Sequence, residues 1–137
     1  MEPIVSIIPP YAAVLALLYV VLSIRTLRLR RKLRIPIGDA RDPLMQRAMR
    51  VHANFAEYTP LALLLILMVE LGDSHDWLIH GLGVSLVLGR VSHAFGVSKP
   101  TENFRYRVFG MAMTFSAMIV ASTALLFMTA ASISFSA

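Results

Sequence analysis

Between positions 47 and 58 the chain carries Arg47, Arg50, Asn54, Glu57 and Tyr58. A helix advances about 100° per residue, so these five side chains share an arc of about 100° and form one polar stripe. Arginine suits a carboxylate, glutamate suits an amine and asparagine suits an amide, so the stripe has the makings of a site for a small amino-acid-like anion. The alternative is purely structural, with Arg47 and Arg50 capping a membrane boundary, Glu57 paired to one of them and Asn54 bonded to a neighbouring helix. His52 falls about 200° from Arg50 and is not a member of the stripe. Downstream, Ser92 lies beside Arg90 and His93, which sit about 60° apart on one face, whereas Arg105 and Arg107 are about 200° apart, so only one of those two can join a shared site. Converging from three helices, these groups predict a cationic pocket. The chain has no cysteine, which excludes a thiolate metal site, an iron–sulfur cluster and a thiol nucleophile of the protein's own. Any sulfur chemistry must come from a substrate. His52, His75, His80 and His93 do not share a helix face at ligand spacing, so neither haem nor a metal is expected.

The elements that must position these groups follow from composition. With 137 residues, 57% hydrophobic and 15% charged, and a mean hydropathy of +0.68, the chain reads as an integral membrane protein. One crossing takes about 20 apolar residues, so four crossings use roughly 80 positions and leave a single domain over residues 1–137. The apolar runs and breakers predict helices near 4–30, 43–71, 76–96 and 103–131, an all-α four-helix bundle running up-down-up-down. Asp42-Pro43 supplies an N-cap and a first-turn proline for the second helix. Glu2 before the first apolar run and the arginines after it have the wrong order for a cleaved signal, so that run is expected to be retained. Gly81, Gly83 and Gly89 on the third helix read as positions of close helix packing.

Nine of the 13 basic residues (Arg25, Arg28, Arg30, Arg31, Lys32, Arg34, Arg41, Arg47, Arg50) cluster about the connection between helices one and two, and the other four (Arg90, Lys99, Arg105, Arg107) about that between three and four. The positive-inside rule then places both connections in the cytoplasm and both termini on the other side. Topology and attraction to anionic lipid, about 1 kcal/mol per basic residue near the surface, explain the net charge of +5 without nucleic acid. A proton-coupled exporter is disfavoured because helix one carries no mid-membrane carboxylate.

The run Arg47-Ala-Met-Arg50-Val-His52-Ala-Asn54-Phe-Ala-Glu57-Tyr58-Thr-Pro60 resembles the signature of the membrane-associated proteins in eicosanoid and glutathione metabolism, abbreviated MAPEG. The phrase that continues through Leu61-Ala-Leu-Leu-Leu is similar to the small bacterial inner-membrane branch of that family. The resemblance implies a homotrimer that binds glutathione, as co-substrate, between adjacent subunits near the cytoplasmic face. Arg50, Asn54, Glu57 and Tyr58 then match glutathione-holding positions, with Arg50 for a carboxylate and Glu57 for the γ-glutamyl amine. Arg47 matches a supporting pair, and Arg90 and His93 on helix three join the binding set. Arg25, Arg28 or Arg31 corresponds to the neighbouring subunit's contribution, and either Arg105 or Arg107 to the arginine that stabilises the glutathione thiolate. At His93 and Val97 the family's glutathione users commonly carry tyrosine. The implied activity is a glutathione-dependent transferase or peroxidase acting on apolar electrophiles or lipid hydroperoxides. The alternative is a non-catalytic trimeric membrane protein that binds lipid or a partner through the same stripe.

Overall fold

The computed structural model describes residues 5–98 and 104–136. Four helices account for most of them: α1 (Ile8–Leu33), α2 (Pro43–Leu71), α3 (Asp76–Ser98) and α4 (Phe104–Ser136). Each is long and apolar enough to cross a membrane, and no strand occurs among the described residues. The chain is an all-α four-helix membrane bundle. α2 and α3 each touch all three other helices, whereas α1 and α4 do not touch each other. The two helices carrying the predicted polar groups are therefore the central pair. α1 and α4 extend past their expected ends at 30 and 131, and the expected starts at 4 and 103 lie outside the described residues.

The helix ends show how the backbone polar groups are satisfied. α1 begins at Ile8 with no side-chain cap from its own segment. Its cap comes from α2, where the buried Glu70 carboxylate accepts the N–H groups of Ser6 at 2.7 Å, Ile7 at 2.6 Å and Ile8 at 3.0 Å. Pro9 and Pro10 follow and carry no N–H, so the first turn leaves no orphan donor. At the other end Arg34 takes a left-handed conformation, φ 54°, and the N–H of Ile35 donates to Arg30 O at 3.0 Å. Burial of Ile35 completes that helix stop. α2 starts as its sequence predicts, with Asp42 Oδ1 accepting from Met45 N at 2.9 Å and Pro43 in the first turn.

The tightest packing is between α3 and α4. A Cβ on Gly110 would lie 2.6 Å from both Gly89 O and His93 N, and one on Gly89 would lie 2.9 Å from Gly110 O. Backbone meets backbone at this crossing, which only glycine permits. Gly83 likewise admits the Tyr11 ring, 2.8 Å from where its Cβ would be. Gly81, also expected at a packing contact, has nothing within 4 Å of a Cβ position and faces outward. Gly110→Ala should therefore cost about 1 to 3 kcal/mol through overpacking, read as a lowered melting temperature in detergent. Gly81→Ala should leave the melting temperature unchanged or raise it, since alanine favours helix by up to about 1 kcal/mol.

Candidate ligand pocket at the basic end of the bundle

The α3–α4 crossing fixes the position of Arg90, and Arg90 fixes the rest of the site. Arg90 is 1% exposed, about 12 Å along the helix axis from Ser98 at 1.5 Å per residue. No carboxylate pairs with it among the described residues, and its donors go to neutral oxygens instead. Nε and Nη2 donate to Thr114 Oγ1 at 3.0 and 2.7 Å, and the Thr114 hydroxyl passes its own proton to Gly110 O at 2.8 Å. Nη1 donates to Asn54 Oδ1 at 2.9 Å. The guanidinium carbon lies 5.9 Å from the centre of the Tyr58 ring, which packs edge-on against Phe115 at 5.4 Å. One buried cation thus ties α2, α3 and α4 together.

Arginine has donors and no acceptor, so the Asn54 atom facing it must be the amide oxygen. The Asn54 amide nitrogen, with its two hydrogens, is left to face the cavity above. That cavity, about 340 Å³, is lined by Arg47, Arg50 and Asn54 from α2, His93 and Val97 from α3 and Arg107 from α4, with Pro43 and Gln46 at its rim. Arg47 also donates to Val97 O at 3.4 Å, near the end of α3. Three arginines and an oriented amide donor around one opening make a site for an anion with carboxylate or carbonyl oxygens.

The predicted site residues divide into groups. Arg47, Arg50, Asn54, His93 and Arg107 come together at the cavity. Arg105 is exposed and does not line it, so of the two arginines on α4 it is Arg107 that faces the opening. Arg90 does not reach the opening and lies beneath it, acting through Asn54. Tyr58 is in the same layer as Arg90. Glu57 is exposed on the outer side of the stripe, and neither it nor Arg50 has a partner among the described residues, so the expected pairing of Glu57 with an arginine is not found within one chain. His52 lies apart, as its angle required. It stacks on Tyr19 with ring centres 4.8 Å apart, and its Nε2 is 3.0 Å from Ser23 Oγ. The Ser23 proton goes to Tyr19 O at 2.8 Å, so this pair is a structural staple and not an activated hydroxyl. Sequence reasoning did not find Thr114, which one helical turn after Gly110 gives Arg90 its principal acceptor.

Thr114→Val keeps the side-chain shape but removes the oxygen that receives both guanidinium donors. It should lower stability by about 1.5 to 3 kcal/mol, the range for a hydrogen bond to a charged group. Thr123→Val is the matched control, because that exposed hydroxyl only returns to Ile119 O at 2.8 Å on its own helix. Thermal unfolding of both variants in the same detergent checks the difference.

Comparison with known proteins places this geometry in context. The model of the MAPEG family matches residues 8–130. The chain is also 36% identical over 110 residues to "Inner membrane protein YecN" of Escherichia coli (strain K12), a match covering 80% of this chain and 82% of that protein. The same figures hold for the protein of that name from Escherichia coli O6:H1. With the polar stripe, the four membrane helices and nearly the full length accounted for, this chain belongs to the MAPEG family.

Proposed function

We propose that the chain is a membrane-bound glutathione-dependent transferase or peroxidase acting on apolar electrophiles or lipid hydroperoxides. The observation that carries this reading is the cavity that gathers Arg47, Arg50 and Arg107 around the Asn54 amide at the basic end of a lipid-embedded bundle. Glutathione offers two carboxylates, an amine, two amides and a thiol. Arg50 takes a carboxylate, the Asn54 amide donates to a carbonyl or carboxylate oxygen, and Glu57 takes the γ-glutamyl amine. His93 lines the same wall in place of the tyrosine that glutathione users commonly carry there, and its ring offers a donor to the peptide backbone of the ligand. Tyr58 and Arg90 hold the floor.

Arg107 supports the thiolate. A free thiol ionises near 8.5, and a guanidinium beside it favours the anion at neutral pH without giving up its own proton. The thiolate sulfur then attacks the electrophilic carbon of an apolar substrate arriving from the bilayer, forming a C–S bond as the bond from that carbon to the leaving group breaks and its electron pair departs with the leaving group. With a hydroperoxide, sulfur attacks the terminal oxygen and the O–O bond breaks. The alcohol leaves with a proton from water, and a second glutathione converts the sulfenic acid to the disulfide and water.

In this reading the bundle lies in a bacterial inner membrane, as the name of its relative suggests, with the basic connections cytoplasmic. Three copies assemble, and one of Arg25, Arg28 and Arg31 on the basic extension of α1 serves the neighbouring site. The exposed Arg50 and Glu57, without partners among the described residues of one chain, support a site completed by a second subunit.

The test is ultraviolet difference absorbance of the purified protein titrated with glutathione at neutral pH. A saturable thiolate band is expected in wild type and in Arg105→Ala, and it should be lost in Arg107→Ala. A folded protein with no band in wild type would remove the transferase reading. The non-catalytic lipid- or partner-binding protein would then stand in its place.

A further inference from the structure

A groove of about 580 Å³ lies away from the site, along the outer face of α1 where it meets the start of α2. Its lining is graded by depth. Val21 and Ile24 form the deeper wall, Arg25, Arg28 and Lys32 follow toward the basic end, and Leu44 at the start of α2 lies at that end with them. Arg25, Arg28 and Lys32 lie within an arc of about 60°, and Val21 to Lys32 spans about 16 Å along the helix. That is the length of a headgroup and the first part of its acyl chains.

The charges in this groove have different commitments. Arg25 is tied to the end of α3, donating to Ser98 Oγ and to Ser98 O. Arg28 and Lys32 are exposed and have no hydrogen bond or ion pair among the described residues. The acids in the adjoining loop are already used, since Asp39 Oδ1 accepts from Arg41 N and Asp42 Oδ1 from Met45 N, both at 2.9 Å. A facing copy of the same basic end, residues 25–42, would bring seven basic residues against two acids. An occupant that is anionic at the membrane boundary and apolar below it meets both halves of the groove.

We infer that this groove holds an anionic phospholipid, its phosphate between Arg28 and Lys32 and its acyl chain against Val21 and Ile24. Arg25, held by Ser98, keeps α1 against α3 and forms the inner edge of the headgroup site. The groove shares no lining residue with the cavity of Arg47, Arg50 and Arg107, and lipid retention is read without glutathione, so its failure is distinguishable from failure of the glutathione reading. Two charges removed from a bound headgroup should weaken retention by about tenfold or more.

The experiment is native mass spectrometry of the full chain in detergent, offered phosphatidylglycerol or phosphatidylcholine with identical acyl chains. Wild type should retain phosphatidylglycerol about tenfold over phosphatidylcholine. That preference should vanish in Arg28→Gln/Lys32→Gln and persist in Arg31→Gln/Arg34→Gln, which removes equal charge outside the groove. Equal retention of the two lipids by wild type, or equal loss in both double variants, would overturn the inference. So would displacement of the bound lipid by inorganic phosphate alone, which would make the site a phosphate site. Because the chain has no cysteine, Ile24→Cys gives a clean second readout in nanodiscs. Labelling by a membrane-soluble maleimide supports a lipid-facing groove, and an oxidatively cross-linked dimer would mean that a second copy covers it.

Discussion

A buried guanidinium with no carboxylate partner among the described residues is the constraint on which this bundle is arranged. Burying an ionised group is costly unless its hydrogen bonds are made, and Arg90 makes them to Thr114 and Asn54. Those bonds require α4 to come close enough for Thr114 to reach, and the Gly89–Gly110 contact allows it. They also require α2 to present the Asn54 oxygen inward. The close crossing, the inward amide and the Tyr58 ring beneath the cation are thus parts of one solution. Its consequence for function is that the wall of the cavity is set before any ligand arrives, with the Asn54 amide nitrogen fixed as a donor. Preorganised donors are worth more than those a ligand must orient for itself.

The two ends of the bundle differ in how polar groups are treated. At the far end they are closed on themselves: Glu70 of α2 caps the first turn of α1, and the Tyr11 hydroxyl meets His80 Nδ1 at 2.8 Å. At the basic end they are left open, with Arg50, Glu57, Arg28 and Lys32 exposed. A carboxylate that unites two helices serves the fold, whereas charges without partners among the described residues are open to a ligand, a lipid or a second subunit. His52, stapled to Ser23 and Tyr19, lies away from the cavity that His93 lines.

Much of this was legible in the residues. Hydrophobic runs marked four helices, Asp42-Pro43 marked the start of α2, and angles around one helix kept His52 away from Arg50 and Asn54. Angles within a helix do not give the rotation of one helix against another. For that reason Arg90 reads as a wall residue beside His93, when the Gly89–Gly110 contact turns it down into the core. The same limit left Arg105 and Arg107 unresolved until α4 was seen packed on α3. Glu70 gave no signal, because it caps a helix more than 60 residues away in sequence, and α1 outran its expected end because Arg34 stops it in a left-handed turn that ordinarily favours glycine. The signature on α2 was informative because its residues must share one helix face, a property that sequence spacing reports directly.

The central claim is that Arg90 makes Asn54 a donor for glutathione, and calorimetric titration of glutathione into Asn54→Asp tests it most directly. The aspartate gives Arg90 a carboxylate partner while taking the amide hydrogens away from the cavity. The melting temperature should hold or rise while glutathione affinity falls by at least about tenfold, or 1.4 kcal/mol. Unchanged affinity in a folded Asn54→Asp protein would contradict the account.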